Sequence, residues 1–277
     1  ISPEMVVDRV KEADIVIFAG GISPSLEGEE MYSVNSPGFA GGDRTSIELP
    51  QVQRDILKAL KKAGKKVVFV NCSGSAVALV PEMESCDAIL QAWYPGQAGG
   101  LAVADVLFGD FNPSGKLPVT FYKNTDQLPD FEDYSMKNRT YRYMTEVPLF
   151  PFGYGLSYTT FDISKGRLNK KTISAGQGLN FKVNVKNTGK YDGAEVIQVY
   201  VRKVDDTEGP IKSLRAFRRV PLKAGETCVV SIDLLPTTFE FFDPTTNTMR
   251  IMPGKYEIMY GNSSDIPSGN KLSVTLR

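Results

Sequence analysis

The chain has 277 residues, of which 42% are hydrophobic and 23% are charged, and this balance is that of an ordinary globular protein of about two domains. Lys plus Arg and Asp plus Glu each number 32, so the formal net charge is +0 and the basic excess of a nucleic-acid-binding surface is missing. The absence of histidine excludes Ser-His-Asp and Cys-His nucleophile systems within the chain and the His ligands of most catalytic zinc sites, and we predict no metal and no cofactor.

The first half of the chain alternates apolar strands with helices. Residues 13–19 form a nearly continuous apolar run rich in β-branched side chains, as in a strand buried on both faces. Residues 50–63 have apolar side chains at helical spacing, with Pro50 at the start and Gly64 beyond the end. The alternation continues with a strand at 66–70, a short helix entered from 72–80, a strand at 86–92 and a helix at 97–107. It predicts an α/β domain over residues 1–122, with a parallel or mixed sheet flanked by helices and with functional groups beyond the carboxyl ends of the strands.

A second compositional zone extends from residue 111 to residue 161 and is dense in proline, glycine, aspartate and aromatic side chains. A flexible linker would not carry so many aromatic side chains. We therefore predict that residues 123–161 form a long ordered crossover on the surface of the first domain.

The last part of the chain, residues 162–277, has the pattern of an all-β domain. Residues 179–185 alternate apolar and polar side chains with period two, and a turn follows at residues 187–189. Further strands are predicted at 194–201, 228–234, 255–260 and 272–276. Short strands separated by turn signals predict a β-sandwich of the immunoglobulin or fibronectin type III kind.

Cysteine spacing, apolar run lengths and the first ten residues indicate which classes of protein the sequence fits. Cys72, Cys86 and Cys228 show no CxxC spacing and are odd in number, so we predict small buried hydrophobic groups rather than a disulfide framework. No apolar run reaches the roughly 18 residues that a membrane-spanning helix needs. The first ten residues lack the basic start and apolar core of a signal peptide, and no initiator Met is present. We expect a fragment of a longer protein.

The loop after the first strand carries three carboxylates within four residues, Glu27, Glu29 and Glu30. Carboxylates this close repel one another, which tends to keep one member of a cluster protonated near neutral pH. A carboxylic acid of this kind can act as a general acid. The alternative, which these residues alone favour, is that the three side chains are simply solvated in a surface loop.

Motifs elsewhere bear on that choice. They are residues 27–31 followed by 42–44, Leu49-Pro50 and Gln53; residues 71–74 (NCSG); residues 92–100 (AWYPGQAGG); residues 112–121 (NPSGKLPVTF); residues 150–161 (FPFGYGLSYTTF); and residues 187–200 of the last domain. In this order, and over nearly the whole chain, they resemble the motifs of the C-terminal portion of family 3 glycoside hydrolases.

The resemblance implies that the acid/base carboxylate is Glu29, because Gly28-Glu29 matches the family's Gly-Glu or Ala-Glu pair. Glu27 is the second candidate and Glu30 the third, since an insertion over residues 32–40 leaves the register open. Asp43 and Arg44 are expected to hold the loop as a local ion pair that caps a turn.

Trp93 and Tyr94 allow two interpretations. Their aromatic faces offer apolar area on which a pyranose ring can stack, and they can equally pack beneath the loop. We expect packing.

The resemblance further implies an exo-acting retaining β-glycosidase. An Asp from a preceding (β/α)8 barrel would attack the anomeric carbon, and a Glu of this chain would protonate the leaving group and then deprotonate water. The chain alone is therefore expected to be inactive. The expected substrates are oligosaccharides that end in xylose, glucose or arabinose, with residues 25–30 and 71–74 most similar to the β-xylosidase and α-arabinofuranosidase branch. We expect a periplasmic or secreted protein.

Two other classes of function compete with this hypothesis. One is a non-catalytic carbohydrate-binding or scaffold module, which would bind sugar without a barrel. The other is a nucleotide-binding α/β domain, which the absence of phosphate-binding motifs disfavours.

Overall fold

A computed structural model describes residues 2–27 and 36–277, and the chain divides into two compact units. The first unit comprises Ile1–Phe108, Phe121–Asp130 and Pro148–Phe150, and the second comprises Gly109–Thr120, Phe131–Val147 and Pro151–Arg277. The polypeptide thus passes between the units more than once. Residues 109–120, which we assigned to the first domain from the sequence, belong to the second unit.

The first unit is an α/β structure, as predicted. Its elements are α1 (Pro3–Arg9), β1 (Ile15–Gly21), β2 (Phe39–Ala40), β3 (Asp43–Arg44), α2 (Gln51–Lys62), β4 (Lys66–Cys72), α3 (Val80–Ser85), β5 (Ala88–Gln91), α4 (Gly99–Phe108) and a 3-10 helix (Thr125–Gln127). Strands β1, β4 and β5 form a parallel sheet in the order β1-β4-β5. The predicted parallel sheet with helices is therefore confirmed.

The core of this unit lies between α2 and the sheet. Helix α2 packs on β1 and β4 through its apolar stripe, where Leu57 and Leu60 are fully buried. Strand β4 buries Val67 and Phe69 in the middle of the sheet. Pro50 precedes the helix and Gly64 follows it with a left-handed φ of 75°, which agrees with the predicted start and stop signals.

One prediction about the strands of this unit is wrong. Strand β1 is not buried on both faces, because it lies at the edge of the sheet and leaves Ile15 and Ile17 about half exposed, at 55% and 51%. An apolar sequence does not distinguish an edge strand from a central one. The short helix entered from residues 72–80 is confirmed: it begins at Val80, with Pro81 in its first turn, after residues 73–79 form a loop that bridges back to Glu48.

Glu48 joins this loop to the 3-10 helix. Its carboxylate accepts hydrogen bonds from the Thr125 backbone nitrogen (2.9 Å), the Thr125 hydroxyl (2.5 Å) and the Ser46 hydroxyl. Burial opposes ionisation of Glu48, but the hydrogen bonds from Ser46 and Thr125 outweigh burial and lower its pKa from 4.5 to about 2. The contribution of Glu48 to stability is therefore present above pH 4.5 and is lost as the pH falls through about 2.

We expect Glu48→Gln to lower the free energy of unfolding at pH 7 by about 1–2 kcal/mol, because the charged hydrogen bonds are lost at a partly exposed site. The difference from the wild type should shrink as the pH falls below 4.5. Urea-unfolding midpoints between pH 7 and pH 3 measure this difference in stability. Glu84→Gln, at an exposed position, is the matched control. A difference that stays constant over this pH range would contradict the role assigned to Glu48.

The second unit contains a β-sandwich, which confirms the predicted all-β part. Its elements are α5 (Thr140–Tyr143), β6 (Phe161–Leu168), β7 (Thr172–Ile173), β8 (Leu179–Asn187), β9 (Gly193–Lys203), β10 (Ser213–Leu222), β11 (Thr227–Leu234), a 3-10 helix (Pro236–Phe239), β12 (Glu240–Asp243), β13 (Thr248–Ile251), β14 (Gly254–Gly261) and β15 (Lys271–Leu276). One sheet has the strand order β10-β9-β14-β15-β7 and the other has the order β11-β8-β6.

The sandwich core follows from the period-two pattern. Alternate residues of β8 are buried, and Phe181, Val183 and Val185 pack in one cluster with side chains of β9, β11 and β14. Residues 109–120, which belong to this unit, are joined to strand β9 by a buried ion pair of 2.8 Å between Lys116 Nζ and Glu195 Oε1. The Lys of the NPSGKLP motif thus has a structural role.

All three cysteines are free, as predicted, but the predicted burial is wrong for Cys72 and Cys228, which are partly exposed. Cys86 is buried, and burial raises the pKa of its thiol to about 12, which makes it unreactive. No helix in the described part of the chain is long and apolar enough to cross a membrane.

Candidate functional site

The three parallel strands end at the same edge of the sheet. Their last residues are Gly21 of β1, Cys72 of β4 and Gln91 of β5. Because the carboxyl ends of parallel strands share one edge, the loops that follow them meet there. Polar residues from the ends of these strands and from the segments that follow them form one cluster, which we call the edge cluster: Glu27, Arg44, Asn71, Ser73, Ser75, Gln91 and Tyr94.

Glu27 lies on the loop after β1 and its side chain is 24% exposed. Its Oε1 accepts a hydrogen bond from the Ser75 hydroxyl at 3.0 Å and lies 3.7 Å from Arg44 Nη1. Its Oε2 lies 3.4 Å from the Tyr94 hydroxyl. The carboxylate is thus held from three sides by groups that come from three different segments.

Arg44 is the charged partner of this carboxylate. Its Nη1 donates to the Ser75 hydroxyl (2.8 Å) and the Ala76 carbonyl (3.2 Å), and its Nε donates to the Ser46 carbonyl (3.2 Å). Burial lowers the pKa of Arg44, and the negative charge of Glu27 opposes that shift. The guanidinium side chain is only 11% exposed, so the nearby carboxylate compensates a buried positive charge.

The predicted local ion pair between Asp43 and Arg44 is not formed; among residues 2–27 and 36–277, the carboxylate within 4.0 Å of Arg44 is that of Glu27. The two residues are neighbours on β3, and neighbouring side chains of a strand point to opposite faces. Asp43 is exposed whereas Arg44 turns inward.

Tyr94 reaches the cluster through two backbone features. Trp93 has a left-handed backbone with φ 58°, and the ring of Tyr94 lies so close to Gly74 that a Cβ there would be 2.6 Å from its Cε2. The hydroxyl donates to the Ile22 carbonyl at 2.8 Å. Burial and the charge of Glu27 raise the pKa of Tyr94, so it stays a neutral donor. Trp93 contacts Phe121 edge-on with ring centroids 6.0 Å apart, which supports the packing interpretation for Trp93, whereas Tyr94 is 43% exposed.

A second layer of amide and hydroxyl groups supports Ser75 from below. Asn71 is fully buried, and its Nδ2 donates to Gln91 Oε1 at 2.6 Å. Gln91 Nε2 donates to the Ser73 hydroxyl at 3.1 Å, which in turn donates to the Ser75 carbonyl at 2.9 Å. Ser75 and Gln91 were not predicted from the sequence; their positions just after β4 and at the end of β5 were the available signal.

The acid/base candidates are only partly placed. Glu29 and Glu30 lie outside the described residues, which end at Glu27 and resume at Ser36. Glu27 is therefore the one member of the predicted carboxylate cluster whose contacts are described. Within residues 2–27 and 36–277, no group of three or more Cys, Asp or Glu side chains could hold a metal ion.

Comparisons with known proteins give two family matches. The model of the glycosyl hydrolase family 3 C-terminal domain matches residues 2–158, and that of the fibronectin type III-like domain matches residues 195–264.

Individual relatives agree with these matches. The chain is 61% identical over 270 residues to a xylan 1,4-beta-xylosidase of Xylanibacter ruminicola, covering 98% of this chain and 31% of the relative. It is 38% identical to a periplasmic beta-glucosidase of Salmonella typhimurium, covering 95% and 35%. The chain spans about a third of the length of these relatives.

Solved structures show the same similarity. A beta-glucosidase from Listeria innocua in complex with isofagomine has a TM-score of 0.80 at 31% identity, with 99% of this chain and 38% of that chain covered. The GH3 beta-glucosidase of Bifidobacterium adolescentis has a TM-score of 0.83 at 32% identity, with 99% and 40% covered.

Proposed function

This chain belongs to glycoside hydrolase family 3, and from that premise we propose that it is the C-terminal portion of an exo-acting retaining β-glycosidase. The observation that carries the proposal is the edge cluster itself. It fixes Glu27 at the carboxyl edge of a parallel sheet, directly before the segment that contains Glu29. The proposed role of the chain is to supply the acid/base carboxylate.

The proposed mechanism has two steps. In the first, the carboxylic acid of Glu29 gives its proton to the glycosidic oxygen as the bond from that oxygen to the anomeric carbon breaks. An Asp of an N-terminal (β/α)8 barrel of the full-length enzyme forms the new bond to that carbon. In the second, the Glu29 carboxylate takes a proton from water, which attacks the anomeric carbon and releases the Asp. Glu27 is the alternative acid/base.

The proposed substrates are oligosaccharides with a terminal xylose, with glucose and arabinose as the next candidates. The 61% identity to a xylan 1,4-beta-xylosidase favours xylose over glucose, because the beta-glucosidase of Salmonella typhimurium is only 38% identical. We further propose a periplasmic or secreted location, which the periplasmic beta-glucosidase among the relatives supports. This proposal involves no cofactor.

A comparison of two polypeptides tests the proposal. We expect the full-length polypeptide to hydrolyse an aryl β-xyloside with retention of the β configuration, and this chain alone to be slower by about a thousandfold or more because it lacks the nucleophile. The measurements are kcat/KM on aryl β-xyloside, β-glucoside and α-arabinofuranoside, and NMR detection of the first anomer released.

Two results would contradict the proposed function. One is turnover by this chain alone at the rate of the full-length polypeptide. The other is the absence of activity on all three substrates together with sugar binding by this chain, which would favour a non-catalytic carbohydrate-binding or scaffold module.

A further inference from the structure

We propose that Glu27 is a positioning residue, which Arg44, Ser75 and Tyr94 hold at the sheet edge, and that it does not exchange the proton during glycoside hydrolysis. This inference rests on the proposed function and deepens it, because it decides between the two carboxylates that the sequence left open. Three features of the edge cluster support it.

The first feature is the charge of the partner. An acid/base carboxylate changes between neutral and charged in every catalytic cycle. Arg44 is permanently charged, 11% exposed and 3.7 Å from Glu27 Oε1. Each time Glu27 took up a proton, the buried guanidinium would lose the charge of the carboxylate that lies 3.7 Å away, the nearest among the described residues, and removing one partner of a buried ion pair is costly. A group that stays charged suits this place.

The second feature is the hydrogen-bond geometry. Glu27 Oε1 already accepts from Ser75, and Oε2 lies 3.4 Å from the Tyr94 hydroxyl. Both neighbours are fixed independently, because the single proton of the Tyr94 hydroxyl is shared between the Ile22 carbonyl at 2.8 Å and the more distant Glu27 Oε2, and the Ser75 carbonyl accepts a hydrogen bond from Ser73. Such a carboxylate is oriented toward the protein on both oxygens, whereas a proton donor must direct one oxygen at the glycosidic bond.

The third feature is the set of segments that the contacts connect. Glu27 follows β1, Ser75 follows β4 and Arg44 belongs to β3, so one carboxylate joins three segments that are distant in sequence. Ile22 at the start of this loop is fixed by hydrogen bonds to the Cys72 carbonyl and from the Tyr94 hydroxyl, whereas the hydrogen bonds described for residues 23–26 are short-range ones between Ser23 and the Leu26 and Glu27 nitrogens. Glu27 therefore anchors the segment that follows Ser23, and the site depends on it through position rather than through proton transfer.

The test uses the full-length polypeptide with Glu27→Gln, Arg44→Met, Arg44→Lys and the double change Glu27→Gln/Arg44→Met. We expect Glu27→Gln to lower kcat by roughly tenfold on aryl β-xylosides with good and with poor leaving groups alike, because misplacement affects both. Added azide should not restore activity, the double change should cost no more than Arg44→Met alone, and Arg44→Lys should retain more activity than Arg44→Met. The exposed Glu84→Gln is the control.

A loss at Glu27→Gln that grows as the leaving group becomes poorer, with recovery by azide as a glycosyl azide, would overturn the proposal. Full activity of Glu27→Gln would overturn it as well.

Hydrogen exchange on this chain gives a readout that needs no activity. Glu27→Gln and Arg44→Met should each raise amide exchange in peptides that cover residues 22–27 and 73–76 and leave the sandwich unchanged. If the full-length polypeptide proves inactive, the proposed function fails while this measurement still decides whether Glu27 anchors the loop. Unchanged exchange in both peptides would refute the anchoring role.

Discussion

Glu29→Gln in the full-length polypeptide is expected to lower kcat/KM on aryl β-xylosides with poor leaving groups by about 10²–10⁴-fold, the range that general acid catalysis contributes. Gln cannot donate the proton that a poor leaving group needs. A dinitrophenyl leaving group departs without protonation, so the first step on that substrate should be nearly unaffected. The second step still lacks its base, and the glycosyl-enzyme should therefore accumulate as a burst of released phenol.

Azide separates loss of the base from loss of structure. A small anion needs no deprotonation before it attacks, so azide should restore turnover of Glu29→Gln and yield a β-glycosyl azide. Glu30→Gln, one position further, is the matched control and should behave like the wild type. If Glu29→Gln keeps full activity on the poor leaving group, the acid/base assignment to Glu29 is refuted, and the same assays on Glu27→Gln then identify or exclude the alternative.

Local patterns were enough to predict most elements of the fold. Helix α2 follows from its apolar spacing, and β8 follows from strict alternation, because one face of each is buried. Helix α1 escaped prediction because it has seven residues and no buried side chain, so no stripe marks it. The edge position of β1 depends on which strands pair, and the sequence of β1 alone does not contain that information.

The candidate site was predictable only to the level of its loops. The topology rule placed the Glu cluster at the carboxyl edge of the sheet, and the structure puts Glu27 there. The partners of Glu27 lie 48 residues away at Ser75 and 67 residues away at Tyr94, and no local pattern connects residues so far apart. Sequence adjacency predicted Asp43 as the ion-pair partner of Arg44, but neighbouring side chains of a strand point to opposite faces.

Gly21 is the position where a single added carbon should most damage the first unit. It ends β1 with a left-handed φ of 122°, and a Cβ would lie 2.0 Å from the Cys72 carbonyl oxygen and 2.7 Å from its carbonyl carbon. Both are backbone atoms of the neighbouring strand, so no rotamer change can relieve the contact. The side-chain amide of Gln53 also holds Gly21 in place: the Gly21 nitrogen donates to Gln53 Oε1 (2.8 Å), and Gln53 Nε2 donates to the Gly21 carbonyl (2.7 Å).

We expect Gly21→Ala to lower the free energy of unfolding of the first unit by about 4 kcal/mol, from backbone strain and from forced separation of β1 and β4. Gly64→Ala is the matched control, because Gly64 has a φ of 75° and no atom of the described residues lies within 4 Å of the place that an added methyl group would take. That change should cost about 1 kcal/mol, the strain of the left-handed backbone alone. Urea unfolding, monitored by hydrogen exchange of the amides in β1 and β4, measures the loss of unfolding free energy for both variants. Equal losses of unfolding free energy at the two glycines would mean that β1 and β4 can separate at Gly21 without a free-energy cost. The loop that carries Glu27 would then not be fixed by close packing of these strands.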